Sequence, residues 1–283
     1  PKEPAITRTT WTCTVAWAAM KNEVGARRLS KAKSGMEAPQ NALAGILPAQ
    51  RVRQLISERA IQLARPVAEG QVQPASLDLR LGETALRVRA SFLSGPGSTV
   101  AEKLESLTLH QFDIRTGAVL ETGCVYLVPL LESLALPADL SAATNPKSST
   151  GRLDVFTRVI ADGVGAFDQV PAGYRGPLYA EICPQTFPIV VRTGSRLSQI
   201  RFRRGAAGDG DVETLRLHNA ERLVSGPNVD IQNGVALSVD LAGDADGLVG
   251  FRAKRHTGVV DVDLDASAKL AGTRRRQRER QRR

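Results

Sequence analysis

The sequence predicts a mainly β fold, a sandwich, jelly roll or barrel, with one short helix near its start. Three observations carry this. A series of short runs, ALRVRASF (85–92), LTLHQFDI (107–114), CVYLVPLL (124–131), LDVFTRVIA (153–161), PLYAEIC (177–183) and FPIVVRTG (187–194), is β-branched or alternates apolar with polar residues. Gly, Pro, Asp and Asn lie between most of them, which marks turns. No strand alternates with a long helical pattern, and neither a G-x-G-x-x-G nor a Walker loop occurs, which argues against a doubly wound α/β sheet.

The helix is read from Pro48 and the AQRVRQLISERA that follows it. Proline suits a first helical turn, and Val52, Leu55, Ile56 and Ile61 roughly keep helical spacing. The 283 residues allow one or two domains. Residues 1–40, with methionines only at Met20 and Met36, read as a disordered extension before the folded part. Residues 41–210 read as the β domain and 266–283 as an Arg-rich disordered tail. Between them, NGVALSVDLAG (233–243) partly repeats VQPASLDLRLG (72–82), so 211–265 reads as the start of an incomplete second repeat.

The charge of +9 sits at the ends. Residues 274–283 hold seven Arg and one Glu, for +6, and residues 1–35 hold seven Lys or Arg and two Glu, for +5, which leaves −2 for the body. Nucleic-acid binding by the folded part thereby loses its main electrostatic support. No stretch approaches the about 20 apolar residues of a membrane span, and no secretory signal is visible. Cys13, Cys124 and Cys183 are widely spaced with no C-x-x-C pair, which points to a reducing cytoplasm rather than to disulfides or zinc.

Two segments carry chemistry. In PKSSTGRLD (146–154), Ser148 and Ser149 offer hydroxyls, Thr150 and Gly151 offer backbone N–H groups, and Lys147 and Arg152 bring positive charge. Such a turn cradles an anion, or else is an ordinary polar loop. In PLYAEIC, alternation puts Leu178, Ala180 and Ile182 on one face and Tyr179 with Glu181 on the other. A carboxylate there needs a partner, for which Arg152 is the candidate, or else lies in water on an edge strand.

These segments resemble the bacterial dCTP deaminases of the wider dUTPase-like group. The Lys147-Ser148-Ser149-Thr150-Gly151-Arg152 turn, Ala161 nine residues after its arginine, and Glu181 seven residues after Tyr174 keep the family's spacing. QPASLDLRLG (73–82) looks like its early strand and FPIVVRTGSRLSQIRF (187–202) like its late hairpin. The longer, duplicated proteobacterial form matches best, through GLVGFRAKRHTGVVDVD (247–263), with its second half truncated.

The resemblance implies a distorted dUTPase-like jelly roll or barrel and deamination of dCTP to dUTP and ammonia without zinc. Glu181 would be general base and then acid, oriented with the water by Ser148 and Arg152. Lys147, Ser148, Ser149 and Arg152 would hold phosphates, with Mg2+ bound through the triphosphate. The backbone at Ala161 would read the base, with Tyr179 and Ala180 beside it. Asp168 would touch the sugar, although DQVPAG separates it unusually far from Tyr174. Arg252, Lys254 and His256 are candidates to cover the triphosphate. The implied partner is a second and third copy of the chain, in a trimer. The alternatives are a dUTP pyrophosphatase, a bifunctional deaminase and pyrophosphatase, or an inactive nucleotide-binding remnant.

Overall fold

A computed structural model describes residues 44–205, 210–225, 229–232, 234–237, 241–242 and 258–264. The expected extension at 1–40, the tail at 266–283, positions 233, 238–240 and 243 of the repeat, and Arg252, Lys254 and His256 fall outside the described residues.

Two six-stranded sheets face each other. The first runs Gln169–Val170, Leu140–Pro146, Ser198–Arg204, Ser76–Leu79, Val72–Gln73, with Gly45–Ile46 also on Ser198–Arg204. The second runs Val155–Ala161, Arg175–Pro184, Val125–Ala135, Thr84–Val88, Thr108–Asp113, with Ile61–Leu63 also on Val125–Ala135. All pairings in both are antiparallel. The mainly β expectation holds, with the qualification that the sheets do not close into a barrel. Each of the predicted apolar runs contributes a strand.

Alternation decides which face each side chain takes. Leu77, Leu79, Ala142, Ile200 and Phe202 of the first sheet pack on Val159, Ala161, Leu134 and Leu178 of the second. Ala180, Ile182, Val128 and Tyr126 continue this inner layer. On the outer side of the second sheet Leu127, Ile160 and Tyr179 meet Val88 and Val100. Val100 opens the helix Val100–Leu107, which begins with a reciprocal cap between Thr99 and Glu102, a T-x-x-E signal that the strand-centred reading of the sequence passed over.

The expected first helix spans Ala49–Ser57, with Pro48 as its N-cap and Val52 and Leu55 buried. It ends sooner than the apolar spacing implied. Arg59 takes a left-handed backbone at φ 59°, and Ile61 starts a strand. The inner layer also holds a charged pair. Glu132, fully buried, accepts from Arg80 Nε (2.8 Å), from the Arg80 backbone N–H (2.7 Å) and from Gln71 Nε2 (2.8 Å). Arg80 donates its remaining groups to the Pro66 and Arg65 carbonyls. Both charges are thereby satisfied, as burial requires.

A third, small sheet joins Ala118–Leu120, Ile189–Val191 and Val260–Asp261, the last two parallel. Arg192 clasps this late strand, donating from Nη1 to Asp261 Oδ1 (2.9 Å) and Asp263 Oδ2 (2.6 Å) and from Nη2 to Asp261 Oδ2 (2.8 Å).

Candidate active site

Glu181 lies mid-strand in Arg175–Pro184, on the outer face that alternation assigns to it, and is 2% exposed. Directly across the ladder stands Arg158. Arg158 donates to Glu181 Oε1 from Nε (3.0 Å) and from Nη2 (2.7 Å). Nη2 also donates to Ser91 Oγ (2.8 Å). The guanidinium carbon sits 3.6 Å from the centre of the Phe167 ring and 4.8 Å from that of Phe156, within the range of cation–π attraction. Glu181 Oε2 is buried and accepts no hydrogen bond. The carboxylate therefore has one tied oxygen and one free one.

The expectation that Arg152 partners Glu181 is not met within the chain. Arg158 takes that place because in-register antiparallel neighbours share a face at close range, whereas Arg152 belongs to the preceding turn. Arg152 is exposed, and no hydrogen bond or ion pair joins Glu181 to residues 147–152 among the described residues. The sequence held a signal for Arg158. In VFTRVIA, Phe156, Arg158 and Ile160 alternate with buried Val155, Thr157 and Val159.

The KSSTGR turn is a short helix, Ser148–Arg152, between Leu140–Pro146 of the first sheet and Val155–Ala161 of the second. Lys147 Nζ donates to Asp78 Oδ2, and Arg196 Nη1 stands 3.8 Å from the same oxygen. Asp78 is 1% exposed, and its Oδ1 is buried without a partner. Thr150 is buried, its Oγ1 donating to the Leu197 carbonyl (2.8 Å). The backbone N–H groups of Thr150 and Gly151 both donate to the Lys147 carbonyl (3.0 and 3.2 Å). The expected anion donors Thr150 and Gly151 are thus spent inside the turn, because a helical turn consumes its own amides. What faces outward is Ser148 Oγ, half-buried Ser149 and Arg152. Ser148 lines a cleft of about 340 Å³ with Lys147, Asp78, Ser76, Gln73, Gln199 and Arg201.

Other expected contacts are placed as follows. Ala161 is buried, and its carbonyl accepts from Ser94 Oγ (3.2 Å) and from the Val164 N–H (3.4 Å). Tyr179 stands beside Glu181 on the outer face, and burial raises its hydroxyl above the usual range. Ala180 points its methyl into the core, between Val159 and Val128 on the flanking strands. Tyr174 is buried, with its hydroxyl pushed up to about 12 by burial; it accepts from the Asp162 N–H (3.0 Å) and donates to the Pro177 carbonyl (2.6 Å). Asp168, at φ 61°, accepts at Oδ1 from Thr144 Oγ1 (2.7 Å) and from the Val159 N–H (2.8 Å), tying the two sheets at their shared edge. Among the described residues, no three His, Cys, Asp or Glu side chains cluster to hold a metal.

Comparison with known proteins agrees with this layout. The family model described as 2'-deoxycytidine 5'-triphosphate deaminase N-terminal domain matches residues 43–206, and the corresponding C-terminal domain matches 210–275. A crystal structure of 2'-deoxycytidine 5'-triphosphate deaminase from Agrobacterium tumefaciens is 58% identical, with a TM-score of 0.72, over 79% of this chain and 66% of that one. A "dCTP deaminase, dUMP-forming" of Coprothermobacter proteolyticus is 29% identical over 53% of this chain and 77% of its own. A "dCTP deaminase" of Halorubrum lacusprofundi is 32% identical over 47% of this chain and 63% of its own. The first family model alone covers more than half of the sequence, and with the second it takes in every described residue: the chain belongs to the 2'-deoxycytidine 5'-triphosphate deaminase family.

Proposed function

We propose that the chain hydrolyses dCTP to dUTP and ammonia. The carrying observation is Glu181, a nearly fully buried carboxylate with Oε1 held by Arg158 and Oε2 unpartnered. Water adds at C4 of the cytosine while Glu181 takes its proton. That proton passes to N3; Glu181 then takes the proton of the new C4 hydroxyl and delivers it to the amino nitrogen, which leaves as ammonia as the C4 carbonyl forms. General acid–base work of this kind needs a carboxylate with one oxygen free to exchange a proton.

The anion-facing groups sit elsewhere on the chain. Ser148 opens onto the cleft over the outer face of the first sheet, whereas Glu181 lies on the outer face of the second. A second copy of the chain, in the trimer that the family resemblance suggests, is the proposed source of the Ser148, Ser149 and Arg152 that meet each Glu181. Magnesium enters with the substrate as counter-ion of the triphosphate. Lys147, neutralised by Asp78, is assigned to holding the turn rather than a phosphate. Cys124 and Cys183 are unpaired, in keeping with the reducing cytoplasm that we propose as the compartment. No helix among the described residues is long and apolar enough to cross a membrane.

The experiment is to incubate the full chain with dCTP and with dUTP, following ammonia and pyrophosphate separately. Ammonia from dCTP is expected. The relative named dUMP-forming supports a second reading in which pyrophosphate follows ammonia. Tight dCTP binding with no ammonia overturns both.

A further inference from the structure

Beside Glu181 stands a side chain that the family spacing did not point to, and its contacts are specific in direction. Arg158 spends Nε and Nη2 on one oxygen of Glu181 and leaves the other untouched. The guanidinium is itself fixed on three sides. Ser91 Oγ accepts from Nη2, the Phe167 ring centre lies 3.6 Å from the guanidinium carbon, and that of Phe156 4.8 Å from it. The Phe167 ring is brought there by the reversal at Asp168, whose left-handed backbone is pinned by Thr144 and by the N–H of Val159, the residue after Arg158. The arginine therefore cannot swing away without losing several contacts at once.

We propose that Arg158 is a positioning residue for the deamination: it holds Glu181 by Oε1 so that Oε2 alone is presented to exchange protons. This rests on the reading of Glu181 as the group that moves protons. A carboxylate with two equivalent free oxygens rotates about its last bond and spends part of its time misaligned. One oxygen gripped by a fixed planar fork removes that freedom. The other ionisable groups nearby are Asp168, whose carboxyl is influenced by both Arg158 and Glu181, and Cys183, two positions along the strand.

The test compares the full-length wild type with Arg158→Gln and Arg158→Lys by ammonia release from dCTP, with folding checked by circular dichroism. For Arg158→Gln, kcat is expected to fall about 100-fold with KM changed less than about threefold, because geometry and not binding is lost. Lysine keeps the charge without the fork and is expected to restore about a tenth of the rate. Where Arg158→Gln does not fold, the Lys variant decides. A folded Lys variant with wild-type kcat overturns the proposal, and so does a folded Gln variant with kcat within threefold of wild type. A wild type that binds dCTP and releases no ammonia overturns the deaminase reading, and this one with it.

Discussion

Lys147 reaches the buried carboxylate of Asp78 across Ser198–Arg204, the strand between them in the first sheet, and this ion pair holds the start of the KSSTGR turn. The two partners differ in environment. Lys147 keeps 26% of its side chain in contact with solvent, whereas Asp78 keeps 1%. Removing the lysine strands a buried charge with only Arg196, 3.8 Å away, as compensation. Removing the aspartate lets the lysine turn to water.

The two halves of this pair should therefore respond unequally. Lys147→Met is expected to cost about 3 kcal/mol. Asp78→Asn is expected to cost about 1 kcal/mol, and the double variant less than Lys147→Met alone. Urea unfolding of the three variants measures this. Equal losses from the two single changes would show that the pair is not what anchors the turn.

Glu181→Gln keeps size and hydrogen-bonding shape but cannot carry the proton. Ammonia release is expected to drop by about 10³-fold or more while dCTP binding, read by calorimetry, stays within a few-fold. Activity surviving above a few per cent would remove Glu181 from its role.

Asp168 combines a left-handed backbone with two accepted hydrogen bonds. Asparagine tolerates that backbone and keeps an acceptor oxygen, so Asp168→Asn is expected to stay within about 0.5 kcal/mol of wild type at acidic pH. Asp168→Ala loses both bonds and strains the backbone, for about 2–3 kcal/mol. Burial raises the Asp168 carboxyl above its ordinary 3.8. A raised folded value means that the contribution is full below the ordinary value and is lost as pH rises through the folded value. Asp168→Asn should therefore gain on wild type as pH climbs from about 4, a trend visible in melting temperature against pH.

The clasp on the small sheet has the opposite sign. Arg192 holds the Asp261 carboxyl down, from 3.8 to about 2. A depressed folded value gives stability that is present above the ordinary value and lost as pH falls from 3.8 toward 2. The pair is only partly buried, with Arg192 34% and Asp261 21% exposed, so solvent still screens it and its contribution is small. Asp261→Asn at neutral pH is expected to lower the protection of the Val260 and Val262 amides, which donate to the Pro188 and Val190 carbonyls, by about threefold in hydrogen exchange.

Much of the layout was legible because strand periodicity acts locally. The split of Leu178, Ala180 and Ile182 from Tyr179 and Glu181 follows from the two-residue repeat alone. The end of the first helix was less legible. Ile61 fits the apolar spacing, yet the left-handed turn at Arg59 diverts it into a strand. The helix at Val100–Leu107 was written in its capping residues, which a search for strands does not weigh.

By itself the sequence determined the β class, the faces of the strands, the family's spacing through Ala161 and Glu181, and the concentration of charge at the ends. Only the tertiary structure decided which arginine grips Glu181, that Lys147 is tied to Asp78, and that the amides of Thr150 and Gly151 are consumed by their own turn. The reason is physical. Face and spacing are set by neighbours along the chain, whereas a buried charge takes its partner from whatever the sheet register sets beside it, here Arg158 across the ladder, six positions beyond the arginine that spacing had suggested.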